Sequence, residues 1–314
     1  MSFETRLEAL DLTLFGIPSA SSAGDKRSFL RAQRLMRRLN PGYTYLEIGS
    51  DRGGSLLPYL YDEACAHIIS IDPRPTAIND ERATSILYPA DGEEQMLANL
   101  SAFAPIEKIK TIRSDIRDAS PAGLPKAHLA LIDGEHTNVA CFSDADRVLD
   151  FIGQDAVILF HDANLIADAL QNYVRMLDRL HRPHVLFVVE DCVAVLGLGR
   201  YCEAVANEFG PIAFPLSDYI TRAQAGRWEM ICLSVLDKMG LPQPDTIRAV
   251  IQQRDNLDMQ AIELRHKVAE LNEETRALNA LLQDYRNSLS WRVTAPLRRV
   301  TRFLRETKIL PSKQ

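Results

Sequence analysis

The chain has 314 residues, 46% hydrophobic and 25% charged, an ordinary globular composition with room for one large core and an appendage. No apolar run reaches the about 18 residues needed to cross a bilayer, and the first residues, Met-Ser-Phe-Glu-Thr-Arg, lack a basic-then-apolar leader, so a cytoplasmic location is the expectation. The net charge of −6 is uneven: Arg286 to Gln314 holds eight Arg or Lys against one Glu, leaving −13 on the rest, which argues against nucleic acid as a partner and assigns any anionic partner to the tail.

In chain order, residues 1–42 read as a helical segment. Within it, Asp25 to Leu39 forms a basic amphipathic pattern with Phe29, Leu30, Leu35 and Met36 apolar, stopped by Asn40-Pro41-Gly42. Residues 43–200 then alternate short apolar runs with helical stretches. The runs are Tyr43–Ile48, His67–Ile71, Lys108–Ile112, Ala127–Ile132, Ala156–Phe160 and His184–Val189. Near-continuous apolar strands between helices predict an α/β domain with a mostly parallel, Rossmann-like sheet covered on both faces. The final pair, Val185–Val189 and Cys192–Leu198 across Glu190-Asp191, predicts an antiparallel hairpin closing the sheet.

Residues 201–243, with Tyr219 and Trp228, read as an extension or lid, and Leu241-Pro-Gln-Pro244 marks a boundary. Residues 245–295 contain no Pro or Gly. Val250, Leu257, Leu264, Leu271, Leu278 and Tyr285 recur at heptad spacing, and the companions four residues on, Arg254, Ala261, Val268, Thr275, Leu282 and Leu289, form a mixed second seam. That pattern predicts a coiled coil over 244–290 and a homo-oligomer, the competing arrangement being one long helix packed on the body. In the tail, 291–314, Leu297, Val300, Phe303 and Leu304 cluster against Arg298, Arg299, Arg302 and Arg305 near Trp291. Such a basic amphipathic helix suits peripheral contact with an anionic membrane at its cytoplasmic face, or equally a partner protein. The five cysteines form no Cys-x-x-Cys pair and read as small buried hydrophobes.

The chemistry concentrates at strand ends. Glu47-Ile-Gly-Ser-Asp-Arg-Gly-Gly-Ser55 follows a strand and opens a helix, and Asp72 closes the next strand twenty-five residues after Glu47. Glycines let backbone approach a ligand, and a strand-end acid suits two ribose hydroxyls. Gly49 is followed by Gly53 and Gly54, with no first glycine pair one residue apart, and an acid stands two residues before Gly49. An acid there repels pyrophosphate and suits the ammonium of a methionine moiety, which favours S-adenosylmethionine over a dinucleotide. Asp133-Gly-Glu-His136 and His161-Asp162 end two further strands. Three arrangements stay open for them. Asp133, His161 and Asp162 hold a divalent ion such as Mg²⁺; His161 or His136 acts as general base beside Asp133; or the group only caps strands.

The stretch 43–198 resembles the class I S-adenosylmethionine-dependent methyltransferases. Within them it is similar to the group of cephalosporin hydroxylase and the macrolide and rhamnose O-methyltransferases. Glu47-Ile-Gly with Gly53-Gly54-Ser55, Ile71-Asp72, Ser114-Asp115, Leu131-Ile-Asp-Gly-Glu-His136 and Leu159-Phe-His-Asp162 carry the likeness. It implies a mostly parallel sheet with one reversed strand. It also implies a turn of Glu47, Gly49, Ser50, Gly53 and Ser55 at the methionine end of the cofactor, Asp72 at the ribose, and Asp115 with Ile116 at the adenine. His161 departs from the acid expected at its position. Asn287 to Arg299 resembles a motif at the ends of bacterial surface-polysaccharide enzymes, which implies a sugar or glycan acceptor for an O-methyltransferase. A small secondary metabolite as acceptor, or a degenerate domain serving as a coiled-coil scaffold, are the competing readings.

Overall fold

The computed structural model describes residues 1–239 except 76, 82–84, 88–91 and 190–191, together with positions 260, 264, 267–268, 271 and 274–284. Met1–Asp255 forms one compact unit and Asn256–Gln314 a second.

The first unit opens with α1 (Phe3–Glu8) and α2 (Ala23–Leu39), then β1 (Tyr43–Ile48), α3 (Leu57–Tyr61) and β2 (Cys65–Ile71). A small hairpin, β3 (Ala77–Asn79) with β4 (Ser85–Leu87), precedes α4 (Gly92–Ser101) and β5 (Ile109–Ile112). Next come β6 (Ala127–Ile132), α5 (Asn138–Val148), β7 (Ile152–Phe160), α6 (Ala167–Arg179), β8 (His184–Val189) and β9 (Val193–Leu198). Helices α7 (Cys202–Phe209) and α8 (Leu216–Lys238) finish the unit.

Seven strands make one sheet in the order β5-β2-β1-β6-β7-β9-β8. The pairs from β5 through β7 are parallel, and β9 runs antiparallel to both neighbours. The reversed strand expected at the end of the sheet therefore lies one place in from it, with β8 outermost. All six residues of β1 and of β9 are buried, as the unbroken apolar runs require of a sheet covered on both faces.

The register positions the chemistry. Ile48 lies beside Ile71 and Ile132, Ile71 beside Ile112, and Ile132 beside Phe160. The residues that immediately follow these strand ends, Gly49, Asp72, Asp133 and His161, thus emerge together at the carboxyl edge of the sheet. Open α/β sheets bind ligands there.

Helix α2 is less amphipathic in place than in sequence. It starts in a capping box in which the Ser22 hydroxyl accepts from Asp25 N–H and the Asp25 carboxylate accepts from Ser22 N–H. Asp25, Ser28, Arg31, Gln33 and Arg34 are all buried along with its apolar residues. Arg34 and Arg38 both donate to Glu208 of α7, so the polar stripe meets other elements of the fold. Helix α8 also packs on the body: Tyr219 joins the main core, while Gln224 and Arg227 bond to Asp168 of α6. Among the described residues, no helix is long and apolar enough to cross a membrane.

In the second unit the described positions are helical, and Leu264, Val268, Leu271, Leu278 and Leu282 are each more than half exposed. Val250, Leu257, Tyr285, the Pro-rich boundary and the whole tail from 285 to 314 lie outside the described residues.

Candidate active site

Gly49 turns the chain out of β1 at φ +83°, in the left-handed region that glycine enters without steric cost. Its N–H donates to Ile71 O at 3.1 Å, and Asp133 N–H donates to Ile48 O at 2.9 Å, so the turn is stitched to both neighbouring strands. A Cβ on Gly49 would overlap the backbone carbonyl of Asp133. This close approach explains why the position takes glycine.

A cavity of about 270 Å³ opens at this edge. Gly49, Asp72, Asp115, Ile116 and Asp133 line it, as do Arg74, Gly134 and Asp144. Asp72 accepts from the N–H groups of Ser50 and Arg74 at 3.0 and 2.8 Å and pairs with the Arg74 guanidinium at 3.2 Å. Asp115 is engaged by Arg117 through its backbone N–H and guanidinium, whose hydrogen bonds hold the carboxyl below its ordinary range.

Four expected binding residues stand behind the wall. Ser50 is buried and serves through its N–H, its hydroxyl pairing with that of Ser70. Gly53 (φ +84°) makes room for Met96 and Leu100 of α4. Glu47 is fully buried and accepts from Tyr45 OH and Ser55 Oγ, both at 2.6 Å. Burial lifts its carboxyl to about 7 against those hydrogen bonds. Glu47 and Ser55 therefore brace the turn from inside the fold.

The histidines divide between two clusters. Asp133, His136 and Asp162 bring one ligand atom each within 4.8 Å of one another, and Asp25, His161 and Cys192 do the same. His136 Nε2 lies 3.2 Å from Asp162 and 3.7 Å from Asp133, while its Nδ1 is buried without a hydrogen-bond partner. His161 bridges the clusters, with Nδ1 2.9 Å from Asp133 and Nε2 3.2 Å from Asp25. Because carboxylates face both ring nitrogens, both must donate and the ring is an imidazolium. Burial opposes that charge, but Asp133, Asp162 and Asp25 outweigh it and raise the His161 pKa well above its usual value. Asp133 shows the converse: burial works against its charge, yet the two imidazoles hold it well below the carboxylate range. With both N–H groups committed in this way, His161 orients Asp133. Of the expected triad, Asp133 and Asp162 share a ligand-atom cluster with His136, and His161 Nδ1 lies 2.9 and 3.3 Å from the same two carboxylates.

Asp25, Cys192 and Asp144 were not singled out from sequence. Asp25 is visible there only as the third helical residue of a capping box, and it reaches His161 across 136 positions. Cys192, expected to be a plain hydrophobe, sits in the polar cluster 3.5 Å from Asp25, with burial pushing its thiol up to about 12. Cys65 and Cys141 are buried as expected, and Cys232 is exposed.

The family model described as a methyltransferase domain matches residues 46–163, the segment that contributes Gly49, Asp72, Asp115, Asp133 and His161. Residues 46–163 are thus similar to a methyltransferase domain. No curated protein matches the sequence. Among solved structures, the methyltransferase fold is similar to the O-methyltransferase TomG from Streptomyces achromogenes, involved in tomaymycin synthesis and seen in complex with SAM. The identity is 13% over 63% of this chain and 90% of that one, with a TM-score of 0.41. It is likewise similar to the SAH-bound methyltransferase PaMTH1 from Podospora anserina, at 15% identity over 62% and 87% of the two chains and a TM-score of 0.42. Both likenesses are of fold.

Proposed function

We propose that the domain transfers the methyl group of S-adenosylmethionine to a hydroxyl oxygen. The observation that carries this reading is the position of Asp133. Among the described residues of the two polar clusters it alone also lines the cavity, and it touches His161 of the other cluster at 2.9 Å. A donor lying along Gly49, Asp72 and Ile116 would present its sulfonium methyl next to this carboxylate. Asp133, kept ionised by His136 and His161, accepts a hydrogen bond from the acceptor hydroxyl and aims its lone pair at the methyl carbon. The C–O bond forms as the C–S bond breaks, and the released proton passes to the Asp133–His136 pair. In-line alignment supplies much of the rate in such a displacement.

The same site fits a divalent ion held by Asp133, His136 and Asp162, which would supply Lewis acidity that lowers the acceptor hydroxyl's pKa. An imidazole beside two carboxylates suits Mn²⁺, Fe²⁺ or Zn²⁺ better than Mg²⁺.

Titration with S-adenosylmethionine tests the donor, and absence of binding would overturn it. Asp133→Asn should lower kcat by roughly 10²- to 10⁴-fold while the donor Kd stays within about threefold; an active variant would remove Asp133 from the chemistry. Assay with and without EDTA decides between ion and proton in the cluster.

For the acceptor, the likeness to sugar O-methyltransferases and the tail motif favour a hydroxyl of a bacterial surface glycan or its precursor, and transfer to a glycan panel is the test. The exposed seam of Leu264, Val268, Leu271, Leu278 and Leu282 supports homo-oligomerisation through a coiled coil. Leu271→Asp with Leu278→Asp should then sediment as monomer, and an unchanged profile would exclude that seam. The basic residues of 291–314 support peripheral binding to anionic membrane; their deletion should abolish sedimentation with anionic liposomes.

A further inference from the structure

Outside the cavity wall, side chains from four segments converge: Asp25 from the first turn of α2, His161 just after β7, Cys192 from the β8–β9 turn and Tyr219 from α8. Asp25, His161 and Cys192 each offer one ligand atom, all within 4.8 Å of one another. His161 Nε2 lies 3.2 Å from Asp25 Oδ2. Cys192 Sγ lies 3.5 Å from Asp25 Oδ1, 4.0 Å from His161 Nε2 and 3.8 Å from Asp162 Oδ1. A tetrahedral Zn²⁺, with bonds of about 2.3 Å to sulfur and about 2.0–2.1 Å to nitrogen and oxygen, sets its ligand atoms roughly 3.3–3.6 Å apart. The observed separations lie within about 0.5 Å of that spacing. Tyr219 points to a ligand independently. It is only 8% accessible, and its hydroxyl is buried without a hydrogen-bond partner. The acidic groups that act on it electrostatically are Cys192, then Asp162 and Asp25, so it faces this cluster. A buried hydroxyl left unpaired costs free energy, and its partner is to be sought in what the cluster binds.

We propose that Asp25, His161 and Cys192 form a Zn²⁺ site that fastens α2 and the β8–β9 turn to the end of β7, with Tyr219 holding a water at the fourth position. The site is separate from the cluster of Asp133, His136 and Asp162, and it does not depend on the donor reading above. A thiolate and an imidazole together select zinc over the hard ions Mg²⁺ and Ca²⁺. On binding, the ion takes the place of two protons, one from His161 Nε2 and one from the Cys192 thiol. The buried cluster therefore keeps its net charge, and no further charge has to be desolvated. A coordinating thiol is deprotonated outright, which overcomes the burial that pushes the Cys192 thiol up to about 12. His161 Nδ1–H stays on Asp133, the outer-shell contact that fixes the tautomer of a ligating imidazole.

The test titrates the metal-stripped full chain with Zn²⁺, and with Co²⁺ as a probe that absorbs in the near ultraviolet when a thiolate binds it. That band reports the proposed site, because the other cluster contains no sulfur. The wild type should show the band, bind Zn²⁺ and melt at a higher temperature with the ion than without it. Cys192→Ser should lose the band and bind Zn²⁺ about a hundredfold or more weaker at this site. Melts without metal confirm that the variant is folded. His136→Ala, which alters the other cluster, should keep the band and the wild-type zinc affinity. A wild type without the band overturns the site, and so does a band that survives Cys192→Ser, since the sulfur would then belong to another cysteine. Zinc affinity lost in His136→Ala but kept in Cys192→Ser would assign the ion to the other cluster and overturn the proposal as well.

Discussion

Gly49→Ala should weaken donor binding by roughly a hundredfold or more and lower the melting temperature. At φ +83° a side chain is strained by roughly 1–3 kcal/mol. Here the added carbon also meets the Asp133 carbonyl. That carbonyl belongs to backbone tied to β1 through the Asp133 N–H to Ile48 O hydrogen bond. Relief therefore requires the β1 turn and the end of β6 to part, which moves the cavity wall and the Asp133 carboxylate together. A misplacement of about 1 Å at a reacting centre can cost on the order of a hundredfold in rate. Affinity for S-adenosylmethionine should fall by roughly a hundredfold or more, with about 2–4 kcal/mol lost in stability. Titration and a thermal melt check both, and wild-type values in the two would show that the turn adapts.

The second large effect is expected from Asp25→Ala. Asp25 is 2% exposed and joins three interactions: the N-terminal box of α2, the His161 imidazolium, and the backbone and thiol of Cys192. Burial opposes its charge, but His161 holds its carboxyl below the ordinary range. Truncation leaves an imidazolium with one carboxylate fewer beneath Phe29, whose ring centroid is 5.9 Å from that of His161. Removing one member of a buried ion pair costs about 3–5 kcal/mol, or on the order of 10 °C in a domain of this size. Methyl transfer should weaken as well, because His161 then holds Asp133 less firmly. A variant that melts with the wild type would show that water replaces the carboxylate at no cost. Asp25→Asn should lie between the two, since its amide would face the donors of Cys192.

What sequence reveals about this molecule follows from what is local. The strands were legible because a sheet buried on both faces needs unbroken apolar runs. Gly49, Asp72, Asp133 and His161 were legible as a group because each directly follows one of them. Asp25 and Asp144 were not, since their significance comes from neighbours far along the chain. Asp25 reads as a helix cap and Asp144 as one polar residue of an amphipathic helix until the fold brings the first to His161 and the second to the cavity. His161 was legible as a strand-end histidine, but its charge state depends on Asp25, so ligand, base and positioning residue could not be told apart. Glu47 looked like a ligand contact because its spacing matches a cofactor turn; only packing places it behind Ser55 and Tyr45. The position of β9 also depends on pairing, because a hairpin read from sequence does not say which of its strands faces β7.

That pairing has a consequence during synthesis. β9 is the last strand of the sheet to leave the ribosome, yet it fills the gap between β7 and β8. Until residues 193–198 emerge, β7 has only β6 beside it and β8 has no partner in the sheet. The nascent chain therefore presents two open edges, one on the strand that delivers His161. Unpaired edges template association with other chains, so a chain truncated between Val189 and Leu198 would be an aggregation-prone fragment. Once residues 193–198 have cleared the ribosome the sheet can close, and a later pause would be harmless.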